Sequence, residues 1–284
     1  MHWSTVSAAQ RALVRLAPTA MLAACAGGPP ATPTARSPGD TMLALAENWH
    51  AKVLVERDDS IVLTLPSGYR QLQEIHRRAG LTLGIAGDGT ASLRLDSLAV
   101  SPLDRERPAA PSLVSWTGRA DDQRINAYRV SAGGEFAAEL TSFVGNLLPR
   151  IPIGGVRPQM TWTDSAAGTV RVDIFSANER RSARWTAGAL HGDGTGASRS
   201  VQVEESYEQV GSGSQNGHRI TMTSQGSRSG IYYFTRNGRL TGAQLADSAT
   251  MLISLPDTRQ MVPTIRYGRT SVQFIPIPRD HSGQ

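Results

Sequence analysis

The chain has one cysteine, one lysine and no long hydrophobic run in its 284 residues. Cys25 alone rules out an intrachain disulfide, a CxxC redox pair and a multi-cysteine zinc site. Lys52 fits neither a P-loop GK[ST] nor an SxxK motif, which removes phosphate-cradling and acyl-serine chemistry of those types. Of 29 lysine and arginine residues only Lys52 is a lysine, a bias we read as codon usage in a GC-rich genome rather than selection for phosphate clamps. The arginines are scattered, with only Arg77-Arg78 and Arg180-Arg181 adjacent, so no basic stripe forms and no nucleic-acid partner is expected. Charges or glycines interrupt every apolar segment well short of the roughly 20 residues a membrane-spanning helix needs.

What is present describes a folded, strand-rich chain. It is 39% apolar and 19% charged, with a formal net charge of +5, which suits a packed domain rather than a disordered one. Its 28 glycines and 16 prolines argue for many turns and against a helical protein. Apolar residues recur with period two at Ile61, Leu63 and Leu65, at Leu81, Leu83 and Ile85, and at Leu93 and Leu95. The same holds at Val170, Val172 and Ile174 and at Val201 and Val203. This alternation predicts half-buried antiparallel strands. Asp58-Asp59, Gly87-Asp88-Gly89, Gly192-Asp193-Gly194 and Asn237-Gly238 read as the turns between them.

One segment changes period. Phe136, Leu140, Phe143, Val144 and Leu147 fall at helical spacing between Gly133-Gly134 and Pro149, which predicts an amphipathic helix over 135–148 laid on the sheet. Gly87–Ser92 and Gly192–Ser198 share the order GDGT-(G)-AS, an offset that suggests two similar halves, 47–132 and 158–275, joined by the helix. The expected fold is therefore mainly β: an antiparallel sheet, curved as a half-barrel or folded as a sandwich. It occupies 41–275, with a flexible tail at 276–284.

The N-terminus carries the strongest signal. Residues 1–24 hold Arg11 and Arg15, no acidic residue, and a short apolar run from Leu16 to Ala24, the grammar of an export signal. Leu22-Ala23-Ala24-Cys25 resembles a bacterial lipobox, at which a type II signal peptidase cuts before a lipidated cysteine. The resemblance implies that Cys25 becomes the acylated first residue of a lipoprotein. Ala26 after it resembles the pattern of outer-membrane sorting in enteric lipoproteins. Several acyl chains, at about 0.8 kcal/mol per buried methylene, would anchor the protein stably. Residues 26–40, AGGPPATPTARSPGD, are too small and polar to fold and form a Pro-rich tether reaching roughly 45 Å at about 3.1 Å per residue.

Catalytic patterns are hard to find. Gly226-Ser227-Arg228-Ser229-Gly230 has arginine where a nucleophile elbow needs serine, and reads as a β-turn between strands. The glycines at 192, 194 and 196 precede a strand rather than the helix that dinucleotide binding requires. His191 and Asp193 make the one close His/carboxylate pair behind the leader and read as a solvated turn rather than a metal site. Trp49, Trp116, Trp162 and Trp185, with Tyr207, Tyr232, Tyr233 and Phe234, read as core and cross-strand packing. No catalytic residue, cofactor or metal site emerges, and an enzyme is not expected. In outline the chain resembles half-barrel lipoproteins that carry or accept acylated proteins and lipids in the bacterial envelope. That resemblance implies a non-enzymatic lipoprotein on the outer membrane, facing the periplasm and binding a lipid or other apolar ligand. The alternative is an assembly lipoprotein that docks an envelope protein complex or peptidoglycan.

Overall fold

The computed structural model describes residues 42–44, 48–101, 115–119, 145–152, 154–172, 175–192, 197–215 and 217–278. Ten strands are described: β1 (Trp49–Thr64), β2 (Arg70–Ile85), β3 (Thr90–Ser101), β4 (Ser115–Arg119), β5 (Thr161–Val172), β6 (Phe175–Ala187), β7 (Ser198–Gln215), β8 (His218–Thr235), β9 (Leu240–Leu255) and β10 (Gln260–Pro276). They form one sheet in the order β4-β3-β2-β1-β10-β9-β8-β7-β6-β5, and every pairing described is antiparallel. The chain starts in the middle of the sheet, walks out to the β4 edge, reappears at the β5 edge and walks back until β10 pairs with β1. The two candidate halves thus contribute four and six of the described strands to a single sheet. Their shared seam is a 13-residue register from Ala51↔Pro276 to Leu63↔Thr264.

The alternation read from sequence sorts the two faces. On β1, Trp49, Ala51, Val53 and Val55 are buried while His50, Lys52, Leu54 and Glu56 are exposed. Leu81, Leu83, Leu93, Leu95, Val201 and Val203 continue the buried face on neighbouring strands. These side chains form one apolar cluster that runs from Trp116 on β4 to Trp185 on β6, with Trp162 of β5 packed against it. Both edges of an open sheet border the same core, which fits a sheet curved into a half-barrel. Trp162 and Trp185 stack with centroids 6.2 Å apart, and Trp185 tilts against Tyr232 at 6.0 Å.

The connection before β5 supplies the other side of this core. Leu147, Leu148, Ile151 and Val156 are buried in the cluster, as is Leu43, which pairs with Val156 through reciprocal backbone bonds of 2.8 Å. Tyr232 Oη donates to the Asn146 carbonyl at 2.7 Å and Trp162 Nε1 donates to the Arg150 carbonyl at 2.9 Å. The segment is thus fastened to β5 and β8 through polar atoms that burial would otherwise leave unpaired.

Several expectations need correction. Residues 145–148 form a turn and bends rather than the end of a helix, and the Asn146 carbonyl accepts from Tyr232 Oη of the sheet. The rest of the predicted helix, 135–144, lies outside the described residues, as do the leader, Cys25 and the tether. Among the described residues the helical structure is one 3-10 turn, Pro256–Thr258. Asp58-Asp59 is not a turn but the interior of β1, and Gly226–Gly230 is the interior of β8, paired on both sides. The turns at Gly87–Gly89 and Asn237-Gly238 form as expected, with Gly89 at φ 80° and Gly238 at φ 74°, conformations that glycine adopts without cost.

Trp116 fills the core from the shortest strand and is fully buried. Trp116→Ala is expected to cost roughly 3–5 kcal/mol in urea unfolding; a loss under about 1 kcal/mol would show that β4 is not part of the cooperative core.

Candidate functional site

Halfway along the long strands the inner face stops being apolar. On β1 the inward positions run Val53, Val55, Arg57, Asp59, Ile61 and Leu63, so two charged residues sit between apolar pairs on the core side. Register carries the charge across the sheet: Asp59 faces Gly268 on β10, which faces Asp247 on β9, which faces Arg228 on β8, which faces Glu205 on β7. Arg57 and Arg77 flank this row on one side, Arg266 and Arg181 on the other.

The contacts are close and shared. Arg57 grips Asp59 through two bonds, Nε to Oδ2 at 2.9 Å and Nη2 to Oδ1 at 2.6 Å, while Arg77 Nη1 reaches Asp59 Oδ2 at 2.6 Å. The same Arg57 reaches Asp247 Oδ1 at 2.9 Å through Nη1, which also donates to Thr270 Oγ1 at 3.0 Å. Arg228 Nη1 pairs with Glu205 Oε1 at 2.7 Å, and Arg181 Nη1 lies 3.4 Å from Glu205 Oε2. At the β5 edge Arg150 pairs with Asp164. Buried charges of this kind persist only when paired, since an isolated one carries an uncompensated desolvation cost.

Reaching from β1 to β9 requires crossing β10, and Gly268 is where that happens. A Cβ there would lie 2.4 Å from Arg57 Nη2 and 2.7 Å from Asp247 Oδ1. Asp247 responds to this company: burial alone would push its carboxyl up, but Arg57, then Arg266 and Arg228, hold it below the ordinary carboxylate range. For Arg57, burial acts to weaken the cation, yet the Asp59 and Asp247 carboxylates raise it above the usual guanidinium value.

Beyond the belt the inner face becomes apolar again. Phe175, Ala177, Ile220 and Met222 form a second buried cluster, with Val170, Met251, Ile253 and Leu255 half-buried against it. Ile61, Leu63 and Val262 are also half-buried on this stretch. The inner face is thus zoned along the strands: a filled core, an ionic belt, and an aliphatic surface that is partly open.

The residues singled out from sequence fall elsewhere or serve the core. His191 is exposed and pairs its backbone with Ser198, while Asp193 lies outside the described residues. Trp49, Trp116 and Trp185 are core residues as expected. The belt escapes a reading of the sequence because Asp58-Asp59 and Gly226–Gly230 resemble turns; the usable signal is the unbroken period of two through Arg57 and Asp59. Two His/carboxylate pairs also come from distant sequence, His76 Nδ1 with Asp58 Oδ1 at 2.5 Å and His218 Nδ1 with Asp257 Oδ2 at 3.2 Å. Among the described residues no group of three or more His, Cys, Asp or Glu could hold a metal ion.

Gly268→Ala is expected to cost about 1–3 kcal/mol by forcing Arg57 and Asp247 apart, whereas Gly168→Ala, where an added Cβ meets nothing within 4 Å, stays within about 0.5 kcal/mol in the same urea titration. Equal effects would contradict the crossing role of Gly268. Because the folded pKa of Asp247 is depressed, the native state binds fewer protons than the unfolded chain. Its stabilising contribution is present above the ordinary carboxylate pKa of about 4 and is lost as pH falls through the depressed value. Asp247→Asn should lower stability at pH 7 and flatten this acid limb; an acid limb as steep as that of the parent protein would contradict the assignment.

No protein-family model and no curated protein matches the chain. Among solved structures it is similar to a mutant of the Rh. blastica porin, at 6% identity with 78% of this chain and 99% of the porin covered and a TM-score of 0.25. It is also similar to a LolA superfamily protein of Nitrosomonas europaea, at 10% identity with 86% and 90% covered and a TM-score of 0.18. A third similar structure is OmpT with loop L8 deleted, an outer membrane protein of Vibrio cholerae, at 7% identity with 79% and 99% covered and a TM-score of 0.19. Scores this low assign this chain neither a family nor a function.

Proposed function

We propose that this is a non-enzymatic bacterial envelope lipoprotein, anchored through acylated Cys25, whose inner sheet face binds a lipid or another apolar ligand. The observation that carries the ligand reading is the aliphatic surface beyond the belt. Ile61, Leu63, Met251, Ile253, Leu255 and Val262 come from three neighbouring strands, share one face and keep part of their area open. Apolar side chains in a concave sheet that the protein itself leaves half-covered gain stability when an acyl chain covers them, at about 25 cal/mol per Å² removed from water. The anchor reading rests on the lipobox-like Leu22–Cys25 and the tether behind it, and the outer membrane facing the periplasm is the location that follows.

The opposite face at the same end favours a second reading. Leu72, Met261, Tyr267 and Ile265 are 60%, 61%, 55% and 38% exposed, a patch that suits docking of an envelope protein. In that case Tyr267→Arg would shrink the complex seen by sedimentation of detergent-extracted protein and leave ligand binding intact.

Titration of the purified protein with a fluorescent fatty-acid analogue tests the ligand reading. Saturable binding is expected, weakened at least 10-fold in Ile253→Asp; absence of binding would contradict it. Intact mass of the membrane-extracted protein is expected to show a chain beginning at Cys25 with added acyl mass, and Cys25→Ala to leave the membrane fraction. An unmodified, full-length chain would contradict the anchor.

A further inference from the structure

We propose that the inner face carries an anion site around Ala249, built from Arg266 of β10, Tyr207 of β7 and Ser224 of β8, which takes a phosphate or carboxylate group. In the lipid-binding reading, on which this role of the site rests, that group is the head of the bound amphiphile. Register brings the parts together. Arg266 faces Ala249, Ala249 faces Gly226 and Gly226 faces Tyr207, all in one row across the sheet, while Ser224 stands in the next row beside Met251. Gly226 lets the tyrosine cross β8: a Cβ there would fall 2.3 Å from Tyr207 Cζ and 2.4 Å from its hydroxyl oxygen. The hydroxyl is thereby carried toward β9 and the small side chain of Ala249.

The polar atoms at this place are under-used. Tyr207 and Ser224 are only 5% and 4% exposed; Arg266 and the Tyr207 hydroxyl interact with one another as side chains, but Tyr207 Oη, Ser224 Oγ and Arg266 Nε are buried and none makes a hydrogen bond of good geometry. Native structures pair the great majority of buried polar groups, so three such atoms on β7, β8 and β10, around Ala249 of β9, point to a ligand that accepts hydrogen bonds. Arg266, like Arg181, is only loosely held in the belt, by a 3.4 Å contact to Asp247, whose carboxylate Arg57 already engages at 2.9 Å and 3.3 Å. Its side chain is 27% exposed, so it is reachable from solvent. Asp247, Glu205 and Glu179 face the same region. Arg57 neutralises Asp247 and Arg228 neutralises Glu205, while Glu179, held by Gln209 Nε2 at 2.8 Å in the row of Ser224, offsets one of the two remaining guanidinium groups, so that Arg266 and Arg181 together leave one positive charge in excess. Burial pushes the Tyr207 phenol up, against the pull of the neighbouring Arg266 and Arg228, which keeps it a donor at neutral pH. The site also lies between the belt and the open aliphatic stretch, with Met251 and Leu63 in the row beyond it, where the head of an amphiphile would sit if its chain lay on that stretch.

The test compares a fluorescent fatty acid with its methyl ester, and separately measures the melting temperature in sodium phosphate against sodium chloride at equal ionic strength. The expected result is at least 10-fold tighter binding of the acid than the ester, a preference that falls to under 2-fold in Arg266→Gln and by about 3-fold in Tyr207→Phe, which removes one hydroxyl and no bulk. Phosphate is expected to raise the melting temperature of the parent protein by several degrees and that of Arg266→Gln by none. If acid and ester bind equally and phosphate has no specific effect, the anion site is overturned while the apolar reading stands. If neither probe binds but phosphate stabilises the parent and not Arg266→Gln, the site stands as one for free anions and the apolar reading fails. An acid preference or a phosphate effect that persists unchanged in both variants overturns the assignment to these residues.

Discussion

Arg57 reaching over Gly268 to Asp247 is the contact on which the middle of this sheet depends. One guanidinium on β1 joins carboxylates on its own strand and on β9, two strands away, and it does so across the seam where the first and last described strands meet. Without it, Asp59 and Asp247 would be carboxylates at 6% and 3% side-chain exposure facing each other across a glycine. Such charges are costly unless the geometry pairs them and satisfies their remaining oxygens. Arg77 reaches Asp59 and Arg266 the second oxygen of Asp247, while Thr270 accepts from Arg57 and Arg228 adds its charge beside Asp247. The belt therefore does more to fix register than to add raw stability, because a one-residue slip of β10 would put a side chain in the path of Arg57 and break its reach to Asp247.

The belt also divides the inner face into two surfaces with different fates. On one side the chain closes its own core, as Leu147, Leu148, Ile151 and Val156 lie against the sheet and Tyr232 and Trp162 fasten them there. On the other, the aliphatic residues of β1, β9 and β10 stay partly open. A strand of 16 residues such as β1 spans about 53 Å at roughly 3.3 Å per residue, more than one small core can cover. The excess length leaves a second, partly open apolar stretch in the same sheet, the one proposed to take the ligand, with the polar belt as its boundary.

Much of the fold was legible in the residues. The period of two at Leu81–Ile85, Leu93–Leu95 and Val201–Val203 marked real strands and their buried faces, and Gly87–Gly89 and Asn237-Gly238 marked real turns. The belt was not legible for a physical reason: polar pairs and glycines signal turns by local chemistry, and only the partner strand shows that Asp59 is neutralised by Arg57 and Arg77 or that Gly226 is small so that Tyr207 can pass. Local sequence reports propensity, while the pairing that overrides it comes from residues far along the chain, as with Asp247, 190 positions from Arg57. The anion site was hidden in the same way, since Arg266, Tyr207 and Ser224 share no local pattern.

Methyl-resolved NMR of the protein, labelled at isoleucine and leucine, with and without a long-chain fatty acid, tests the central claim that the open end of the inner face is the ligand surface. The account predicts shifts concentrated at Ile61, Leu63, Ile253 and Leu255, with Leu83, Leu93 and Leu147 in the closed core unmoved. Shifts confined to the outer-face residues Leu72, Leu252 and Ile265, or no shifts at all under saturating ligand, would contradict it.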